Sequence, residues 1–271
     1  MVVDEESRKR YAVSVDSQCC TVGWRAGVGA LWPHADGQAS PSIRSVTERA
    51  SLIIQKATLT RAPHCAIDDE AMELNMSHPA RESIPLLTVE QFLTYPIPQG
   101  KAELVRGELR VALPPAAPHG VAASNLVFLL AAYVRENELG RVFGDSFGYE
   151  LVRLPRTVRV PDGSFVRADR LPHGGVGPRL VTFAPDLVIE VLSPNEPASE
   201  LEEKLDDYLT SGTSLIWVVD PVRRTVMVVA VDAPVHWLKE GDMLEAGALI
   251  PGFSCAVCQI FEGIARQQSH Q

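Results

Sequence analysis

The sequence predicts an α/β (α+β) fold, a mixed sheet flanked by helices, and three features carry that expectation. The first is Asp186-Leu187-Val188-Ile189-Glu190-Val191-Leu192, a Val- and Ile-rich run between Pro185 and Ser193-Pro194 that has the pattern of a central strand buried on both faces. The second is a pair of stretches with helical apolar periodicity, residues 119–138 before that strand and 199–210 after it. The third is a set of short strand candidates broken by Gly and Pro, several of them arranged as hairpins. Within the buried run Glu190 is out of place, because burying a carboxylate is costly unless a cation or metal compensates for it.

The chain has 271 residues, 46% of them hydrophobic, which is enough for a substantial core. Its net charge of −9 argues against a general nucleic-acid or membrane binder, so any DNA-directed function needs locally positive surface. The five cysteines, Cys19, Cys20, Cys65, Cys255 and Cys258, lack the spacing of a disulfide framework and suggest a reducing compartment. Cys255-Ala-Val-Cys258 has no second ligand pair, so it reads as core cysteines rather than a zinc site. No run approaches the ~20 apolar residues of a membrane span and no signal peptide is evident, so the expected location is the cytoplasm, with no membrane partner.

Residues 1–85 carry little periodicity and read as a weakly specified N-terminal extension, either a regulatory arm or the product of a mis-assigned start upstream of Met72 or Met76. From residue 86 the signals become regular and define a domain over 86–265. Thr88-Val89-Glu90-Gln91 is a capping-box start for a short helix to about Tyr95. Residues 101–106 and 108–113 form an early hairpin around Arg106-Gly107, ended by Pro114-Pro115. The helix over 119–138 carries Val121, Leu126, Leu129, Leu130, Tyr133 and Val134 on its apolar side and closes at Gly140. Short strands follow at 141–143, 149–154, 158–160 and 164–167, then a Gly/Pro-rich loop at 172–178 and the buried strand. The helix over 199–210 starts with a Ser199-x-x-Glu202 capping box. Residues 214–219 and 225–231 pair around Asp220-Pro221, C-terminal strands lie near 235–239 and 242–250, and a last helix spans about 257–265.

Asp162 ends a short strand before Glu190 in the chain and can return beside it, although Pro161-Asp162-Gly163 also reads as an ordinary turn. Lys204 falls on the inward stripe of its helix with Leu201, Leu205 and Tyr208. There it either snorkels out to pair with Glu200 or Asp207, or places a cation beside Glu190. An acidic pair with a lysine suits metal-dependent phosphodiester hydrolysis, since Mg²⁺ or Mn²⁺ takes hard oxygen ligands and activates water. Asp186 shares a face with Glu190 but lies about 13 Å along the strand, too far for one shared ion. Arg153, Arg156, Arg159, Arg167, Arg170 and Arg179 flank Asp162 and either grip phosphates or protect a sheet edge.

These residues occur in a familiar order. Leu87-Thr88-Val89-Glu90-Gln91-Phe92-Leu93, Ala102-Glu103-Leu104-Val105-Arg106-Gly107-Glu108-Leu109, Val160-Pro161-Asp162, the 184–194 segment, Glu203-Lys204-Leu205 to Tyr208, Gly212, and Trp217-Val218-Val219-Asp220-Pro221 together resemble the Uma-two family of restriction-type endonucleases, in the PD-(D/E)XK nuclease superfamily. The resemblance spans 86 to about 262. It implies a restriction-endonuclease-like core with Asp162 and Glu190 as metal ligands, Glu103 as an auxiliary acid, and His119 as the match to a family histidine before the long helix, ranked as a candidate phosphate contact. From the arginine cluster itself, Arg159 and Arg167 are the further candidate substrate contacts. The superfamily lysine would stand at position 192, which is Leu192 here, so Lys204 takes its place in the expectation.

The sequence-based expectation is thus a Mg²⁺- or Mn²⁺-dependent DNA endonuclease with Asp162, Glu190, Lys204 and Glu103 as catalytic residues. Restriction-like enzymes often work as homodimers, but no interface signature is visible in this chain. Two alternatives stay open: a catalytically silent nucleic-acid-binding or regulatory module on the same fold, and hydrolysis of another phosphoester.

Overall fold

The computed structural model of the chain describes residues 86–97, 100–151, 154–173, 175–177, 180–194 and 196–266. The expected extension over 1–85, with three of the cysteines, and Arg153 and Arg179 of the arginine cluster lie outside the described residues. Helix α1 (Val89–Thr94) starts at the expected capping box, with Thr88 and Gln91 bonded reciprocally. The hairpin follows as β1 (Lys101–Val105) and β2 (Glu108–Ala112). Its turn residues Arg106 and Gly107 both have positive φ, 51° and 91°, the geometry that a two-residue loop between twisted strands needs.

Helix α2 (Ala117–Glu136) begins two residues before its predicted start, because Pro118 suits a first turn where no N–H is required. Gly140 does not cap it. Asn137 is the cap and Gly140 opens β3 (Gly140–Gly144), where a Cβ would lie 2.1 Å from the Val166 carbonyl oxygen. Short β4 (Tyr149–Glu150) and β5 (Val158–Arg159) lead to β6 (Gly163–Arg167), and Ala168–Arg170 is a 3-10 turn. β7 (Leu187–Val191) is buried at every position, as its composition predicted. Helix α3 (Ala198–Ser211) is capped by the backbone of Pro197, without a side-chain cap bond, so the Ser199 box does not form; Gly212, at φ 109°, ends it in the left-handed region. β8 (Leu215–Asp220), β9 (Thr225–Ala230), β10 (His236–Lys239), β11 (Met243–Glu245), β12 (Ser254–Ala256) and the single turn α4 (Val257–Ile260) complete the described chain. The final helix is shorter than predicted.

The architecture is a mixed α/β arrangement of several sheets flanked by helices. The large sheet has the order β10-β9-β8-β7-β6-β3, antiparallel except for the β7–β8 pair, and a second sheet has the order β2-β1-β5-β4. Because strand side chains alternate, Leu187, Ile189 and Val191 of β7 pack with α2 through Leu126, Leu130 and Val134, and with the C-terminal Ile250, Phe253 and Phe261. Val188 joins Leu201, Leu205 and Tyr208 of α3 on the opposite face. Glu190 has the same parity as Val188 and therefore points toward α3.

Helix α2 corrects one expectation. It has 20 residues, and its most apolar 18-residue stretch reaches a mean hydropathy of 1.4, long and apolar enough by that measure to cross a membrane. Here its inner face is core: Ala122, Leu126 and Leu130 are fully buried, and Asn125 donates to the Ile260 and Glu262 carbonyls. Cys255 lies in the same core, where burial pushes its thiol up to about 12.

Candidate active site

Asp162 sits at the joint between the two sheets. Val160-Pro161-Asp162 carries the chain from β5 in the smaller sheet to β6 in the larger one, so the dipeptide that read as a turn is a crossing. The crossing is tight, because a Cβ on Gly163 would lie 2.6 Å from Val127 Cγ2. Gly163 pairs with Ile189, which brings the preceding Asp162 beside Glu190 at the end of the ladder. The Asp162 N–H donates to the Ile189 carbonyl at 3.1 Å, and Asp162 Oδ2 accepts the Val191 N–H at 2.8 Å. The side chain thus substitutes for the next backbone rung and has little freedom to turn away.

Glu190 is 3% exposed, and α3 serves both of its oxygens. Tyr208 donates its hydroxyl to Oε1 at 3.1 Å, and Lys204, one helical turn earlier, sets Nζ 3.5 Å from Oε2. Lys204 also bonds Glu196 at 2.7 Å, so it pairs toward the strand and the loop before its helix, not with Glu200 or Asp207. Burial raises the Glu190 carboxyl; Lys204 opposes that and Asp162 adds to it, leaving the group pushed up to about 7. The Lys204 ammonium is held well above its usual range, since Glu190 and Glu196 outweigh the desolvation that would lower it.

A second lysine completes the group. Lys101 Nζ lies 2.8 Å from Asp162 Oδ1, and His119 Nε2 lies 3.2 Å from Oδ2. Burial would raise the Asp162 carboxyl, but the His119 hydrogen bond and the Lys101 charge outweigh it and hold it well below the usual carboxylate range. The two acids are therefore split, Asp162 ionised and Glu190 protonatable near neutrality. His119, expected as a phosphate contact, is instead a buried partner of Asp162, and its Nδ1 has no hydrogen-bond partner among the described residues. Lys101, Tyr208 and Glu196 escaped the sequence reading as site residues. Lys101 was visible in principle, because Lys101 and Glu103 stand two apart on one strand and share a face.

Glu103, expected as an auxiliary acid, has both oxygens engaged by protein. Oε1 accepts the Val160 N–H and Oε2 accepts Arg159 Nη1, each at 2.8 Å. Arg159 is 1% exposed and also donates from Nε to Asp207 Oδ2 at 2.9 Å, while Arg106 Nη2 donates to Asp207 Oδ1 at 2.9 Å. This buried network ties β1, β5 and α3 together, so Arg159 is removed from any phosphate and braces the strand that leads to Asp162. Arg167 stays exposed and pairs with Asp169, but β6 carries it about 16 Å from Asp162. Arg170 pairs with Asp186 at 2.7 Å, and Arg167 N–H donates to the same carboxylate, so Asp186 anchors the far end of β6. Among the described residues, Arg159, Arg167 and Arg170 are each engaged away from Asp162.

Among the described residues no group of three or more His, Cys, Asp or Glu forms an all-protein metal cage. Asp162 and Glu190 offer two hard-oxygen donors, the number by which Mg²⁺ is commonly held, with water and substrate phosphate in the other positions. Their chemistry fits Mg²⁺ or Mn²⁺ and not a structural zinc.

The family model for Uma2, described as "Putative restriction endonuclease", matches residues 89–258, a span that contains every residue of this group. The chain belongs to the Uma2 family. The fold is shared with a crystal structure from Anabaena variabilis described as a putative nuclease belonging to DUF820, at a TM-score of 0.58 and 21% identity, covering 65% of this chain and 97% of that one. No curated protein matches the chain. Family and fold together place this Uma2 chain among nuclease-type proteins.

Proposed function

We propose that the protein is a divalent-metal-dependent DNA endonuclease, with Asp162 and Glu190 as the ion ligands and Lys204 as the catalytic cation. The observation that carries this reading is the buried acidic pair at the end of the β6–β7 ladder with a lysine on each acid, inside a restriction-endonuclease family domain. A bound Mg²⁺ would supply Lewis-acid charge at a phosphoryl oxygen and make a bound water more acidic. The chain's own residues do the rest. Asp162 is locked by the Val191 N–H so that one oxygen faces the site, and Tyr208 aims Glu190. Lys204 keeps its proton, held by Glu190 and Glu196, and offers a fixed ammonium to orient the attacking water and to stabilise charge building on the phosphate. Glu103 acts through Arg159 and Val160 as a positioning residue.

One observation favours a second reading, a nucleic-acid-binding module without catalysis: Asp162 already has a lysine, a histidine and a backbone N–H as partners. Conversion of supercoiled plasmid in Mg²⁺ or Mn²⁺ by the wild type and by Asp162→Ala, Glu190→Ala and Lys204→Ala separates the two. The nuclease reading expects cleavage by the wild type alone; the silent module expects DNA binding with no cleavage by any of the four. Parallel trials on RNA and small phosphoesters identify the substrate class.

A further inference from the structure

Lys101 opens β1, and its ammonium lies 2.8 Å from Asp162 Oδ1. The other oxygen of Asp162 is committed to the Val191 N–H and His119. Releasing the Val191 bond would open the end of the β6–β7 ladder, so Oδ2 is fixed by the fold. Oδ1 is then the oxygen that an incoming ion meets, and Lys101 stands on it.

The two lysines of the site are not equivalent. Lys204 has a carboxylate of its own, Glu196 at 2.7 Å, and lies farther, 3.5 Å, from Glu190. The side chain of Lys101 is 25% exposed against 18% for Lys204, and among the described residues its ion-pair partner is Asp162. A long four-carbon stem at a strand end can swing outward, whereas Lys204 is held from two sides.

We propose that the Lys101 ammonium occupies the ion's place on Asp162, and that a divalent ion binds by displacing it toward the substrate, where it meets a phosphate. This rests on the metal-dependent reading above and adds an exchange step to it. The ion and the ammonium compete for one oxygen, so removing the lysine charge strengthens ion binding while it removes a phosphate contact. A residue with a merely structural part would weaken both.

The test is calorimetric titration of Mn²⁺ into the full-length wild type, Lys101→Met, Lys101→Gln and Lys239→Met, with plasmid cleavage measured alongside. Lys239 is a control for net charge, on an exposed edge strand three strands and about 14 Å from β7. Both Lys101 variants are expected to bind Mn²⁺ more tightly, on the order of tenfold, with Lys239→Met unchanged, and Lys101→Met is expected to cleave more slowly at saturating Mn²⁺. Unchanged or weaker Mn²⁺ binding in whichever Lys101 variants fold overturns the exchange. Tighter binding with no cleavage by the wild type sustains the exchange and defeats the nuclease reading. Absence of Mn²⁺ binding by the wild type defeats both.

Discussion

Glu190 is buried beside Asp162, and its raised carboxyl makes the ion-free protein sensitive to pH in a definite direction. The folded group holds a proton up to about 7, above the 4.5 of a free glutamate, so between those values the native state binds more protons than the unfolded chain. Its contribution to stability is complete below about pH 4.5 and is lost as pH rises through about 7. Glu190→Gln removes that dependence. Without divalent ions, the variant is expected to gain on the wild type by on the order of 2 kcal/mol between about pH 5 and about pH 8, measured by denaturant unfolding. Parallel stability curves for the two proteins would show that Glu190 is not perturbed as described. The buried character of residues 186–192 was enough to foretell the upward direction, since burial is its largest cause; the opposing charge of Lys204 and the added one of Asp162 were not legible, because they arrive from other elements.

At the level of elements, the site depends on how β1, β5 and α3 are joined. Arg159 bridges Glu103 and Asp207, and all three are buried. Arg159→Met leaves two buried carboxylates without their shared cation and is expected to cost about 3–5 kcal/mol. The triple change Arg159→Met, Glu103→Gln, Asp207→Asn is expected to recover much of that loss, and urea unfolding of both proteins measures the difference. Equal losses would mean that the network holds no mutual charge dependence. Much of this layer was legible. The Val/Ile run gave β7, the Arg106-Gly107 pair gave the hairpin, and Thr88 with Gln91 gave the start of α1, since each is set by local chemistry. β12 was not legible, because three residues form a strand only through their pairing with β11. The Ser199 box failed for a related reason: Pro197, already extended at φ −63° and ψ 141°, starts the helix first. Of the two readings open for the arginine cluster, the described Arg159, Arg167 and Arg170 do not gather at Asp162, because neighbours along an extended strand separate by about 3.3 Å per residue, while Lys101, far away in sequence, pairs across the joint.

At the scale of the whole molecule, the proposed substrate is a polyanion and the chain carries a net charge of −9, so the global charge opposes their approach. Duplex binding is therefore expected to depend on a divalent ion that bridges the acids and a phosphate. In gel-shift titrations Ca²⁺ should strengthen binding to a DNA duplex by at least about tenfold over chelator, with the gain lost in Asp162→Ala. An ion-independent affinity would move the DNA contact away from this site. The proposed hydrolytic centre of Asp162, Glu190 and Lys204 is read out by the single-turnover rate of plasmid cleavage in Mn²⁺. Cleavage by the wild type is expected to stop with chelator and to fall by at least about 100-fold in Asp162→Ala, Glu190→Ala and Lys204→Ala; equal rates in all four proteins would rule out a shared centre.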